Sequence, residues 1–276
     1  MLLVAELVGG FVFGSLALLA DGAHMASDVL ALTVALVALN LARRPPTDRH
    51  TYGLARAEVL GAQVNGVLLL AGAGAVVVEA LRRLDDPARI DAFGVVVVGA
   101  LGLAVNVVSA VAVGHVSHGD LGLRAAFWHL LADAAGSVAV LVAAFAALAF
   151  GAYRVDALAS ILIAVMVLVG AWRLLRDTTR VLLEAVPEGI DLVAVRRALE
   201  GADGVEAVHD LHVWSVGSSH AALSAHVVLA GPLSLHDAQE RSGALKAMLA
   251  DRFGIAHATL EVECHECADE HTAGHR

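Results

Sequence analysis

Apolar residues fill the first two thirds of the chain in long runs, interrupted at fairly even intervals by Arg, Asp, Pro and His, whereas the last third alternates on a much shorter scale. An apolar run of about 18 residues or more is long enough for a helix to cross the ~30 Å hydrocarbon core of a bilayer. The pattern predicts six spans, near 2–19, 23–41, 58–80, 92–113, 123–150 and 155–175. The first has no basic stretch before it and runs into the second without a cleavage-like pattern, so it reads as a span and not as a signal peptide.

After Pro187 the periods shorten. Val195, Ala198 and Leu199 have helical spacing within 191–200, and Gly201 stops that helix. Alternating segments at 205–216 and 221–229 flank Gly217-Ser218-Ser219, a hairpin signal. Ser234 caps a helix running to Phe253 and closed by Gly254, and a last strand covers 258–262. Helix, strand, strand, helix, strand predicts a small sheet with two helices on one face. The expected architecture is an all-α polytopic membrane domain of six transmembrane helices over 1–180. A small α+β ferredoxin-like cytoplasmic domain follows over 187–276, too small to bury much core alone and so a candidate for dimerisation.

Composition agrees with a membrane protein carrying a soluble part: of 276 residues 58% are hydrophobic and only 17% charged, with mean hydropathy +0.75. Arginines set the orientation. Arg43, Arg44, Arg49, Arg56, Arg124, Arg173, Arg176 and Arg180 fall on one side of the predicted spans, against Arg82, Arg83, Arg89 and Arg154 on the other. That excess predicts both termini in the cytoplasm. Beyond Pro187 the chain has fourteen Asp and Glu against six Lys and Arg, and nine of its fourteen His. An acidic surface argues against nucleic acid as a partner and suits attraction of cations.

The chemistry starts from a pattern that occurs twice, His24 with Asp28 and His129 with Asp133, each pair inside an apolar stretch. A spacing of four stacks both side chains on one helix face, so each helix offers half of a four-ligand cage. Two imidazoles and two carboxylates suit zinc, and cadmium or cobalt in similar geometry, whereas manganese prefers an all-oxygen site. Asp in hydrocarbon costs roughly 2.5–3.5 kcal/mol on insertion scales, so it is rarely there without a use. The two pairs fall in the second span of each three-span half, the arrangement of transporters whose midplane site forms between repeats. Asp21 reads as the cap or end residue of a span. Glu6 and Asn106 either line a water path or bond between helices. Gly61, Gly66, Gly72 and Gly74 in the third span read as sites of close helix approach. Cys264 and Cys267 form a CxxC next to His265, a chelating pair if other ligands arrive, or a reduced tail.

The stretch from Gly14 to Asp28, GSLALLADGAHMASD, resembles the second-span signature of the cation diffusion facilitator family. Tyr52-Gly53-Leu54-Ala55-Arg56-Ala57-Glu58, the His129/Asp133 pair and His209-Asp210-Leu211-His212-Val213-Trp214 resemble the same family, in its zinc, cobalt and cadmium exporter branch. The resemblance implies a homodimeric metal/proton antiporter, with Zn2+ as substrate, protons as counter-ion and a cytoplasmic domain that binds further zinc. It implies His24, Asp28, His129 and Asp133 as the transport site, and His209, His226 and His236 as ligands in the soluble domain. Glu261 and Glu263 stand where some relatives have a His and an Asp. Asp48 and His50 are what remains of a loop site, with Leu54 in place of a second His, and the His-rich loop of animal relatives is reduced to His115 and His118.

Two other classes are weighed against transport. A membrane-bound zinc sensor would keep the soluble ligands without needing four intramembrane ones. An intramembrane metalloenzyme would need a general base beside the metal, and the chain has no HExxH.

Overall fold

The computed structural model describes residues 1–42, 44–116, 121–217 and 220–265, with the side chains of 39, 42, 116, 121, 122, 124 and 125 left aside. Among the described residues the elements are α1 (Leu2–Phe13), α2 (Leu16–Ala42), α3 (Ala57–Asp85), α4 (Ala92–Val116), α5 (Leu121–Phe150), α6 (Arg154–Leu182), α7 (Leu192–Glu200), β1 (Val205–Ser215), β2 (Ala221–Leu229), α8 (Leu235–Phe253) and β3 (His257–Glu263). The fold is a helical transmembrane region followed by a small α+β domain. Contacts group Met1–Leu36 with Ala62–Arg176, and Val37–Gly61 with Asp177–Arg276.

The first group is built inside out. Phe11, Phe93, Val108, Phe145 and Trp172 point outward, while Glu6, Asp21, Asn65, Asn106, Asp133, Ser137 and Asp156 are buried. That distribution fits hydrocarbon as the surrounding solvent, where polar side chains must find partners inside the bundle. Its main core is made of small and branched residues, among them Ala17, Leu18, Val95, Val140, Ala143 and Ile163.

Five helices, α2 to α6, are long and apolar enough to cross a membrane. The predicted first span is cut short. Gly14 turns the chain with a left-handed backbone (φ 72°), and Ser15 caps a new helix by accepting from the Leu18 amide at 3.1 Å. Hence α1 is a 12-residue apolar helix, and α2 begins seven residues earlier than the 23–41 expected for the second span. Asp156 of α6 completes the cap: its carboxylate accepts from Ser15 Oγ at 2.6 Å and from the amides of Leu16 and Ala17 at 2.8 and 3.4 Å. Asp21 is therefore neither cap nor end residue; it lies inside α2 and is buried.

Close helix approach is also distributed differently from the sequence expectation. A Cβ at Gly66 would meet Leu175 at 2.9 Å, but Gly72 and Gly74 face open space. The tighter approach is at Gly10, where a Cβ would come 2.8 Å from the Leu19 backbone nitrogen, bringing α1 against α2.

In the α+β domain the strand order is β1-β2-β3, with β1 and β2 antiparallel and β2 and β3 parallel. Asp191 caps α7, and Ser234 with Asp237 forms a capping box on α8. Val195 and Leu199 of α7 and Leu245 and Leu249 of α8 bury against Val208, Leu211, Val213, Leu223, Val227 and Leu260 of the sheet. Both helices thus cover one sheet face, and the other face carries His209, His226 and Glu263 beside Trp214, Ala222 and Val228.

Candidate metal centre

Helices α2 and α5 bring all four predicted intramembrane residues together. His24 Nε2 lies 3.3 Å from Asp133 Oδ1, and His129 Nε2 lies 3.4 Å from Asp28 Oδ2 and 3.7 Å from Asp133 Oδ2. The two imidazoles stand edge to face with centroids 6.1 Å apart. Bonds of about 2.0–2.2 Å to a tetrahedral zinc put its ligand atoms roughly 3.3–3.5 Å from one another. The cross-helix distances match the edges of such a tetrahedron. Asp133 Oδ1, though buried and 3.3 Å from an imidazole nitrogen, has no hydrogen bond. One ligand atom each from His24, Asp28 and Asp133 lies within 4.8 Å of the others.

His24 also lines a cavity of about 190 Å³ between α2, α3 and α6, together with Ser27, Asn65, Leu68, Gly72 and Val167. Asn65 Oδ1 is buried there without a hydrogen-bond partner. On another side, Asn106 donates to Ser137 Oγ at 3.3 Å, and Ser137 donates to Asp21 Oδ2 at 3.2 Å. Asn106 thus makes an interhelical bond. The sequence offered Asp21 and Asn106 as separate polar residues; only the packing of α2, α4 and α5 joins them.

A second cluster lies on the open face of the small sheet. Strand register aligns His209 with His226 and His226 with Glu261 across three strands, and Glu263 follows on the same face of β3. Glu263, 8% exposed, bridges both rings: Oε2 is 3.0 Å from His209 Nε2 and Oε1 is 2.8 Å from His226 Nδ1. Glu261 stands at the rim, largely exposed, 3.6 Å from His226 Nε2. Burial opposes charge on His226, but the bond to Glu263 and the charges of Glu261, Glu263 and Asp210 outweigh it and raise its pKa above the usual histidine value.

Asp210 was missed as a contributor. Its left-handed backbone (φ 48°) sits where two residues of β1, Asp210 and Leu211, oppose one of β2, Ala225, a bulge that turns its carboxylate to within 3.7 Å of His226 Nε2. His212 bonds Asp210 at 2.9 Å, and that bond, with the charges of the three neighbouring histidines, lowers the Asp210 pKa. The signal is present in the sequence: apolar positions 208, 211 and 213 are spaced three and then two apart.

The remaining predicted ligands do not join either cluster. His236 is exposed on α8 beside Glu240 at 3.5 Å. His50 closes a turn with Thr47 and lines a cavity of about 570 Å³ with Tyr52, Arg56, Glu184 and Trp214, while Asp48 is exposed. Cys264 is exposed, its sulfur 3.2 Å from its neighbour His265. Cys267 and His118 lie outside the described residues.

Residues 1–183 match the cation efflux transmembrane domain, and residues 187–265 match the cation efflux protein cytoplasmic domain. The chain belongs to the cation efflux family. It is therefore a transporter and not an enzyme, and an integral membrane protein. The metal cation efflux system protein CzcD of Cupriavidus metallidurans is 37% identical over 273 residues, covering 99% of this chain and 86% of that protein. The zinc transporter ZitB of Escherichia coli is 37% identical over 267 residues, 96% of this chain and 84% of its own length. The cadmium, cobalt and zinc/H(+)-K(+) antiporter of Bacillus subtilis is 35% identical over 263 residues, 95% and 84% of the two chains. A solved structure of the metal-bound C-terminal domain of the CzcD transporter is 38% identical, covering 27% of this chain and 99% of that one, with TM-score 0.25. What this cation efflux protein carries, and how, is a question for the two clusters.

Proposed function

We propose that this protein exports Zn2+, with Cd2+ or Co2+ as related substrates, from the cytoplasm in exchange for protons, through the cluster of His24, Asp28, His129 and Asp133. The observation that carries the reading is the pair of 3.3 and 3.4 Å edges between imidazole nitrogens and carboxylate oxygens of two different helices, joined by a 3.7 Å edge within α5. Two carboxylates neutralise a dication, and two neutral imidazoles complete a nitrogen-and-oxygen set suited to zinc. The printed names of the relatives, a zinc transporter and a cadmium, cobalt and zinc antiporter, support the same substrates.

Alternating access around this cluster loads the metal from the cytoplasm and releases it outside. Imidazole lone pairs take either a metal or a proton, so a vacated cluster is open to protons from the more acidic side. We take residues 1–180 as the transport domain and 187–276 as a cytoplasmic metal-binding and dimerisation domain, with both termini inside. The arginine asymmetry supports that orientation. The pair of His209 and His226 bridged by Glu263 is the supporting geometry for zinc in the second domain, where binding would favour a tighter homodimer.

Zinc-dye uptake into proteoliposomes tests the reading. Wild-type protein is expected to accumulate zinc, and Asp133→Ala and Asp28→Ala to abolish accumulation. Unchanged uptake in either variant would rule out the cluster as the transport site.

A further inference from the structure

Among the described residues Glu6 is the most deeply buried ionisable side chain that the proposed metal path does not use. It is 0% exposed, and neither carboxylate oxygen has a hydrogen-bond partner. Glycines shape its surroundings. A Cβ at Gly22 of α2 would stand 3.2 Å from Glu6 Cβ, and one at Gly102 of α4 would stand 2.6 Å from Glu6 Oε1 and 3.5 Å from Ser137 Oγ. The carboxyl therefore fits a slot between α1, α2 and α4 from which side chains have been removed.

The charged groups that face it are Asp21 from α2 and Asp133 from α5. From α4 come Gly102 and Asn106, which do not titrate. The two nearby neutral donors are already committed, Asn106 to Ser137 and Ser137 to Asp21. An ionised carboxylate in such a place costs several kcal/mol unless a positive charge compensates it. A slot serving packing alone would be filled better by Leu or Met, which bring no polar atoms to bury.

We propose that Glu6 is a proton-carrying site of the exchange cycle, separate from the metal ligands and coupled to them through the field of the metal. The proposal rests on the zinc/proton reading above. A dication arriving among His24, Asp28, His129 and Asp133 favours the carboxylate form of Glu6, so its proton leaves to the cytoplasm as zinc enters the cluster. When zinc departs to the outside, Glu6 regains a proton from that side. Through Glu6 one proton moves inward for each zinc moved outward, beside those that the ligand imidazoles exchange, and this proton occupies no atom that binds the metal.

The experiment uses full-length protein in proteoliposomes, with zinc and pH dyes read in parallel, comparing wild type with Glu6→Gln and Glu6→Asp. Glu6→Gln keeps the shape and removes the titration. It is expected to retain zinc binding but about tenfold weaker at neutral pH, because a proton expelled by the metal contributes reciprocally to the metal's affinity, to lower the proton-to-zinc ratio by one, and to lose about tenfold in steady-state zinc accumulation per unit of imposed pH gradient. Glu6→Asp, which retains an acid, is expected to recover the wild-type ratio. A wild-type ratio in Glu6→Gln overturns the proposal. Loss of zinc binding in both variants overturns it as well, because the carboxyl would then serve the fold or the metal site. Wild-type vesicles that move zinc without protons overturn the exchange reading itself, which is a different result from a coupled wild type with an equally coupled Glu6→Gln.

Discussion

Asp133 Oδ1 stands 3.3 Å from His24 Nε2 while the same carboxylate reaches His129 through Oδ2 at 3.7 Å, so a single aspartate touches the imidazoles of both helices. Asp28 touches one imidazole, and its side chain is 36% exposed against 11% for Asp133. The two carboxylates are therefore not equivalent. Removing one partner of a buried charged contact costs about 3–5 kcal/mol, and a more exposed one costs less. Asp133→Asn is expected to weaken zinc binding by on the order of 100-fold or more, and Asp28→Asn by on the order of 10-fold. Isothermal titration in detergent would measure both, and an inverted ranking would contradict the geometry.

The cap on α2 gives a stability prediction that is independent of metal. Asp156, 2% exposed, satisfies Ser15 Oγ and two backbone amides at the start of the helix that carries His24 and Asp28. Asp156→Ala leaves those donors without their acceptor in the bundle interior, at a cost of about 2 kcal/mol or more. Asp156→Asn, which keeps one acceptor oxygen, should lose less. Thermal unfolding in detergent with metal chelated would rank wild type above Asn above Ala.

That cap also explains where sequence reading stopped. Hydropathy located the helices of the membrane region because a run of apolar residues reports its own solvent, and the twin HxxxD pattern located four residues that α2 and α5 bring together. The start of α2 was misplaced because its local marks, Gly14 and Ser15, lie inside an unbroken apolar run, and Asp156, which completes the cap, is some 140 positions away. For the same reason Asp21 looked like a terminus. In the small domain the local signals were complete: Asp191, Ser234 and Gly254 act where the sequence puts them. Asp210 escaped because a bulge reverses the inward and outward parity of β1 between Val208 and Leu211. Glu263 was legible as a candidate but not as the bridge between two rings, since that depends on register across three strands.

Charge on the open sheet face makes the metal-free domain sensitive to pH in two windows. The raised His226 pKa means that its contribution to stability is fully present below the unfolded value near 6.5 and is lost as pH rises through the folded value. The lowered Asp210 pKa acts oppositely, contributing above the unfolded value near 3.9 and failing as pH falls through the folded value. Hydrogen exchange of β1 and β2 amides in the full-length, metal-free protein should therefore be slowest between these windows and quicken on either side. Glu263→Gln should flatten the upper limb, because His226 loses its hydrogen-bonded carboxylate. An upper limb of unchanged steepness would mean that another group is titrating.

Asn65 pairs a cost in stability with a use in transport. Its buried Oδ1 lacks a partner in the cavity that His24 also lines, and an unsatisfied buried carbonyl of this kind costs about 1–3 kcal/mol. Asn65→Leu has nearly the same shape and removes that cost, so the variant is expected to melt a few degrees higher. If the amide oxygen meets the hydrated ion on its way to His24, the same substitution slows zinc uptake several-fold while leaving the equilibrium zinc affinity within about twofold. A rate change without an affinity change separates a residue on the path from one in the cluster. Uptake kinetics and titration on one preparation would decide it: a more stable variant that transports at the wild-type rate would leave Asn65 with no part in the path.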